Sequence, residues 1–264
     1  MQEKKYALIT GATGGLGQAF AFTLAKRGYN LIITGRTEKK LNDLSLRIKE
    51  EYAVETLGFA LDLTDDLARN EFFDAVKKTG VKISLLACVA GVDIQKGFAQ
   101  YTQEKITFQA RVNFESAVSF CRFAIDNKAE RLEIINVSSV SGIYPMPYFA
   151  IYSATKTALT SFSVSLREEM KGKGVSVTAV LPGAMPTRED IKEQIKGQGL
   201  WGKLAVKSPK WVAEYSLKAV RKNKRKVIPG FWNKCMRFFT AFIPTSLRLK
   251  FIAKRWSKIS KDAF

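Results

Sequence analysis

The chain reads as an α/β protein built on a doubly wound parallel sheet. Short, continuous runs of Val, Ile and Leu alternate with segments of helical periodicity along most of the sequence. Strands apolar on both faces belong to sheets covered by helices on both sides. The first run also passes directly into a glycine-rich turn, where a βαβ unit hands its first strand to its first helix. A length of 264 residues is enough to bury such a sheet between two helical layers.

In chain order, KYALIT (5–10) leads through glycines into an Ala/Leu-rich helix near 14–27. NLIIT (30–34) precedes a Lys/Leu helix near 37–51, and VETLGFALD (54–62) precedes an amphipathic segment near 65–79. ISLLACVA (83–90) is followed by a long helical pattern over about 101–127, then LEIINVS (132–138), a proline-containing loop and a helix near 151–171. VSVTAVL (175–181) closes the regular part, and the segment to 207 is polar. Ser208-Pro209 then starts a helix near 208–223, followed by the short strand KVIPG. No internal repeat or linker divides the chain. One domain is expected over 1–230, with 231–264 as its basic, amphipathic, helical extension.

Composition removes several chemistries. The chain has no histidine, and Cys88, Cys121 and Cys235 are too far apart in sequence to form a ligand cluster. A Ser-His-Asp triad, a Cys-His pair and a zinc site are therefore excluded, and no metal is expected. Acid-base work must fall to carboxylates, lysine or tyrosine. The odd cysteine count and the lack of a signal-peptide pattern ahead of Tyr6 predict a reducing cytoplasmic setting. No stretch reaches the roughly 18 apolar residues of a membrane span. The net charge of +19 is uneven: residues 221–264 hold 13 Lys/Arg against one acid, whereas 1–220 hold 30 against 23.

The turn after the first strand reads Thr10-Gly11-Ala12-Thr13-Gly14-Gly15-Leu16-Gly17. Glycines there let the backbone approach a pyrophosphate, which amides at the helix N-terminus then hold. A tight turn without a ligand is the competing reading, and the position in a βαβ pattern argues against it. About 20 residues further on, the second strand ends Ile33-Thr34-Gly35-Arg36, at the place where an acid would bind an adenosine ribose. A guanidinium pairs with a 2′-phosphate that an acid would repel, so Arg36 points to NADP(H) rather than NAD(H). The alternative for Arg36 is a solvated strand end.

Tyr152 and Lys156 are spaced i,i+4 on the helix after the fifth strand, which sets them on one face. An ammonium beside a phenol favours phenolate and gives a histidine-free chain a general acid-base. Ser139 lies just past the fifth strand, at the rim where parallel sheets bind ligands, and its hydroxyl can bond a carbonyl oxygen. A Tyr-x-x-x-Lys pair alone is common. Its order behind the glycine turn and Ser139 is what makes it informative.

In these motifs the chain resembles the short-chain dehydrogenase/reductase family over about residues 4–230. Thr10 to Gly17 match the family's glycine motif, with Gly11, Thr13, Gly15, Leu16 and Gly17 as cofactor contacts. Asp62-Leu63 match the adenine-contacting pair, Ala90-Gly91 the remainder of the family's Asn-Ala-Gly, and Pro182, Gly183 and Thr187 the Pro-Gly-x-x-x-Thr segment. The resemblance implies a Rossmann-type fold and a catalytic tetrad of Asn113, Ser139, Tyr152 and Lys156. In it Asn113 holds a water relay, and Tyr152 and Lys156 also touch the cofactor. Val89 replaces the family's asparagine, so apolar packing is expected to tie the strands there, and Cys88 before it reads as a buried small hydrophobe.

The stretch from Asn136 to Phe162, the LPGAMPTR segment and the basic aromatic C-terminus are most similar to the 3-oxoacyl-CoA reductase and 17β-hydroxysteroid dehydrogenase branch. That similarity implies NADPH-dependent reduction of an apolar carbonyl substrate and a homodimer or homotetramer assembled through the helices near 101–127 and 151–171. The loop 142–150 and the segment 184–207 are expected to shape the pocket, with Tyr148, Phe149, Met185 and Trp201 as apolar walls or ordinary packing. A catalytically silent NADP(H)-binding sensor or scaffold of the same fold is the alternative function. A nucleic-acid reading of the charge lacks any recognised module and concentrates in one tail, so no nucleic-acid partner is expected. In that tail Pro244 separates two short helical stretches, and Leu247, Phe251, Ile252 and Trp256 recur at helical spacing among Arg248, Lys250, Lys254, Arg255 and Lys258. Two readings stand together: a segment docked on the protein to wall the pocket, and a peripheral membrane contact.

Overall fold

The computed structural model describes residues 4–186 and 204–257. Seven parallel strands form one sheet: β1 (Tyr6–Thr10), β2 (Asn30–Gly35), β3 (Thr56–Ala60), β4 (Ile83–Cys88), β5 (Lys128–Val137), β6 (Val175–Val180) and β7 (Lys226–Val227). Their spatial order is β3-β2-β1-β4-β5-β6-β7. The winding reverses between β1 and β4, and the crevice beyond the C-terminal ends of those two strands is where open α/β sheets bind ligands.

Helices cover both faces. On one side α1 (Gly15–Ala25), α2 (Glu38–Glu51) and α7 (Pro209–Arg221) bury Phe20, Leu24, Leu41, Ile48 and Leu217 against Ile9, Ile33 and Leu85. On the other, α3 (Asp66–Lys78), α4 (Gln103–Ala110), α5 (Ser116–Asp126) and α6 (Ala150–Glu169) enclose Phe72, Phe120, Leu132, Ile134 and Leu159. Phe72 stacks on Phe120 and Phe73 on Phe123, with ring centroids 5.4 and 4.4 Å apart. Each such fully buried side chain stabilises the fold by roughly 1.5–3 kcal/mol.

Two features depart from the expected elements. The long helix over about 101–127 is not continuous: a π-turn, Arg111–Glu115, joins α4 to α5 and holds Asn113. β5 begins four residues before the expected Leu132, because Ile83 pairs with Lys128 ahead of a register shift. After β7 follows a helical hairpin, α8 (Phe231–Ala241) and α9 (Thr245–Trp256), divided at Pro244. Among the described residues no helix is long and apolar enough to cross a membrane.

Candidate active site

A cavity of about 710 Å³ opens at the sheet's switch point. It is lined along one side by the glycine turn, Arg36, Asp62 and Leu63, and along the other by Ser139, Tyr152, Lys156, Pro182 and Gly183.

The glycine side is set by close approach of backbone to backbone. Gly11 has φ +65°, and a Cβ there would stand 2.8 Å from the Ala90 Cα. A Cβ on Gly17 would stand 2.1 Å from the Gly11 carbonyl oxygen. Side chains are thus sterically barred from both positions. The helix α1 starts at Gly14 with no side-chain cap and no acid in its first turn. Its leading amides therefore face the cavity with the positive end of the helix dipole behind them. A pyrophosphate fits this cradle. Thr13 packs where a side chain on Gly35 would need to go, 3.0 Å from that Cβ position, so the β2 end presents Arg36 to the cavity as an exposed side chain.

Val89 does not leave the strand ends untied. The Thr10 hydroxyl oxygen accepts hydrogen bonds from the Val89 and Ala90 amides at 3.1 and 3.3 Å, while the Val89 side chain packs on the core. The tie therefore combines apolar packing with a hydroxyl from β1. Cys88 is buried, and hydrogen bonding with Cys121 together with burial holds its thiol well above the usual range. Such a thiol is an inert core residue.

On the opposite side, the early turns of α6 place Tyr152 and Lys156 on the cavity wall. The Lys156 ammonium is 5.8 Å from the Tyr152 ring centroid and donates to the Val137 carbonyl at 3.0 Å. Burial lowers its pKa from 10.5 to about 8, against the opposing pull of Asp93 and Cys88. A Cβ on Gly91 would stand 3.1 Å from Lys156 Nζ and 3.3 Å from Asn113 Oδ1. Glycine at 91 thus leaves room for the lysine. Ser139 follows β5 in an extended conformation, and its Oγ accepts from the Ser141 amide at 3.1 Å, which leaves its hydroxyl proton available to the cavity.

Asn113 lies behind this wall and is 1% exposed. Its Oδ1 accepts from the Val92 amide at 2.7 Å, and its Nδ2 donates to the Val92 carbonyl at 2.9 Å and to Thr155 Oγ1 at 3.3 Å. The side chain therefore clamps the segment that carries Gly91 to the helix that carries Lys156. A π-turn at such a position is a common way to aim one buried residue.

Phe149 and Met185, expected as apolar walls, both line the cavity. Tyr148 is not among the described lining residues; its backbone turns with φ +63°. Thr187 and Trp201 lie outside the described residues. Additional walls come from Phe108, Val112 and Met146, and from Asn233, Met236, Arg255 and Trp256 of the hairpin. Phe149 stacks on Tyr152 at 4.4 Å and faces Trp256 at 6.1 Å, so α9 reaches Tyr152 through two aromatic rings. Asn233 is buried and donates to the carbonyls of Pro229 at 2.8 Å and Ala205 at 3.1 Å; a Cβ on Gly183 would collide with it. Asn233 is not among the residues singled out from the sequence; its one signal there is an amide side chain amid aromatic and basic residues.

Against known proteins, the pattern of the short chain dehydrogenase family matches residues 5–196. Very-long-chain 3-oxoacyl-CoA reductase from Bos taurus is 34% identical over 192 residues, covering 70% of this chain and 60% of that protein. The Homo sapiens protein of that name is 33% identical over 194 residues, with the same coverage. The match therefore spans less than two thirds of those relatives' own length. Among solved structures, one on 7β-hydroxysteroid dehydrogenase stereoselectivity superposes with a TM-score of 0.83 at 27% identity, over 94% of this chain and 96% of the other. An NADPH complex of a short-chain dehydrogenase from Sphingobium yanoikuyae shares the fold, with a TM-score of 0.75 at 24% identity over 98% and 100% of the two chains. With the glycine cradle, the Tyr152–Lys156 pair and the switch-point cavity in place, the chain belongs to the short-chain dehydrogenase family of oxidoreductases.

Proposed function

We propose that the protein is an NADP(H)-dependent reductase that interconverts a carbonyl and a secondary alcohol on an apolar, 3-oxoacyl or steroid-like substrate. The observation that carries this reading is one cavity that joins the glycine cradle to Ser139, Tyr152 and Lys156. The cradle, the uncapped start of α1 and the exposed Arg36 at the end of β2 suit a dinucleotide carrying a 2′-phosphate. Asp62 and Leu63 would border its adenine, with Ala90, Gly91, Pro182 and Gly183 beside its nicotinamide half.

When bound, NADPH supplies the hydride that reduces the carbonyl carbon. Tyr152 holds the proton and releases it to the carbonyl oxygen as negative charge develops there. Lys156 stabilises the phenolate left behind, and its ammonium also suits a ribose hydroxyl. Ser139 donates its hydroxyl proton to the same carbonyl oxygen and orients it. Asn113 ties the Val92 segment to the helix that carries Lys156, and a relay water held near Asn113 would return the proton. The walls formed by Phe149, Met146, Met185 and Trp256 suit an alkyl or polycyclic body.

The relatives' name, very-long-chain 3-oxoacyl-CoA reductase, supports the acyl branch, and the 7β-hydroxysteroid dehydrogenase neighbour supports the steroid branch. NADPH oxidation, measured against 3-oxoacyl thioesters of rising chain length, steroid ketones and small polar ketones, tests the proposal. Turnover that favours the apolar substrates is expected. NADPH binding without turnover on any of them would make the chain a silent nucleotide binder.

A further inference from the structure

The hairpin α8–α9 carries a surface that the reductase chemistry does not use. An amphipathic helix on a globular protein normally turns its apolar face inward. In α8 much of the apolar surface is turned outward. Asn233 is buried, and Tyr144 bonds the Arg237 carbonyl at 3.0 Å and the Thr240 hydroxyl at 2.8 Å, so polar groups fasten the helix to the body beside the half-buried Trp232 and Cys235. The aromatic side faces out: Phe231, Phe238, Phe239 and Phe242 are 61–73% exposed. Phe238 packs edge-on against both Phe239 and Phe242, which makes the patch continuous. In α9 the apolar stripe splits. Trp256 turns in toward Phe149, while Leu247 and Phe251 stay outside at 57% and 67% exposure, beside exposed Lys250 and Lys254.

A patch of this kind marks a contact with something else, and charge decides with what. The hairpin, residues 231–257, carries six Lys/Arg and no Asp or Glu. A second copy meeting this face in two-fold fashion would set two acid-free basic surfaces against each other. An anionic bilayer has the complementary charge and also accepts aromatic side chains at its interface.

We propose that the aromatic face of α8 and the Leu247–Phe251 edge of α9 dock on an anionic membrane surface, with flanking lysines and arginines at the headgroups. Met236 lines the cavity yet is 44% exposed on α8. Docking therefore sets the cavity mouth at the bilayer, where an apolar substrate partitions. That last consequence rests on the proposed reductase reading; the docking itself does not.

Flotation with phosphatidylcholine vesicles and with vesicles containing phosphatidylserine, at low and high salt, tests it using the full chain. The protein is expected to float with the anionic vesicles, to release as salt rises, and to ignore the neutral ones. The double variant F238S/F242S, at two exposed positions outside the cavity lining, is expected to lose binding by about tenfold or more, with thermal unfolding and NADPH binding unchanged. K250E/K254E should weaken binding and flatten its salt dependence. No binding of the full chain to anionic vesicles, or equal binding by F238S/F242S, would overturn the proposal. So would a dimer in sedimentation velocity that F238S/F242S dissociates, since the face would then be covered by a second copy. Vesicle binding is read without turnover, so failure of the reductase reading leaves it standing, and the converse holds as well.

Discussion

The glycine turn after β1 and the hairpin α8–α9 wall the same cavity but are built in opposite ways. The turn is defined by what has no side chain: at Gly11 and Gly17 a single added carbon would collide with backbone. The hairpin is defined by large side chains, several of them held in solvent, and fastened to the body by a few polar contacts from Tyr144 and Asn233. The first build suits a charged ligand held by backbone amides and tolerates almost no change. The second presents adaptable apolar surface, and most single changes there should be mild.

Tyr152 stands where the two regions meet, near Lys156 on one side and stacked on Phe149 on the other. Its replacement gives the largest effect. Tyr152→Phe keeps the ring, so the stack, the fold and NADPH binding should survive while reduction falls by about 10²–10⁴. Single-turnover rates with saturating NADPH check this, and near-normal rates would remove the mechanism. Next in size is Gly17→Ala, where the new Cβ meets the Gly11 carbonyl oxygen. A loss of roughly 2–4 kcal/mol in unfolding free energy is expected, with weakened NADPH binding. Phe239→Ala in the hairpin should shift stability by no more than about 0.5 kcal/mol. Equal losses for the two would erase the contrast between the regions.

The cradle was legible in the sequence because its constraint is local. Glycines at fixed spacing behind a strand announce a close backbone approach whether or not a ligand follows, and Gly91 beside Lys156 follows the same steric logic. The hairpin was legible only as a composition. Its aromatic and basic residues are evident from the sequence, and so is the break at Pro244, but which face turns inward depends on Tyr144 and Phe149, which lie far upstream of the hairpin, and on the carbonyls that Asn233 finds. That is why Ile252 and Trp256 separate from Leu247 and Phe251 despite sharing an apparent stripe. The π-turn at Asn113 escaped for a similar reason: its residues have ordinary helical character, and the extra backbone residue is fixed by the clamp on Val92. The early start of β5 is hidden by the polar Lys128-Ala-Glu-Arg131, of which Lys128 pairs with Ile83 ahead of the register shift.

Arg36 sharpens the coenzyme side. Arg36→Ala should weaken NADPH binding by roughly 1.5–3 kcal/mol, as expected of a charge-assisted pair with phosphate, and leave NADH binding nearly unchanged. Fluorescence titration of both coenzymes measures the difference. Equal affinity of the unaltered protein for the two would withdraw the 2′-phosphate role.

The smallest effect concerns the stability of the cofactor-free protein, and its sign runs against intuition. Lys156 is charged at neutral pH yet buried, and burial is the leading cause of its depressed pKa of about 8. The unfolded chain holds this proton up to an ordinary lysine pKa of about 10.4. Between those two values the unfolded state binds more protons than the folded one, so folding stability rises with pH. Below about 8 both states are protonated, and the whole cost of burying the charge falls on the fold. Lys156→Met removes that cost and also loses the bond to the Val137 carbonyl, which offsets part of the gain. The variant should therefore be more stable at pH 7 by on the order of 1 kcal/mol, with the advantage shrinking as pH rises from about 8 toward 10, even though its turnover collapses. Denaturant melts of both cofactor-free proteins across that range would show it. A variant less stable at pH 7, or a difference that does not change with pH, would mean that the ammonium is better solvated in the fold than its burial implies.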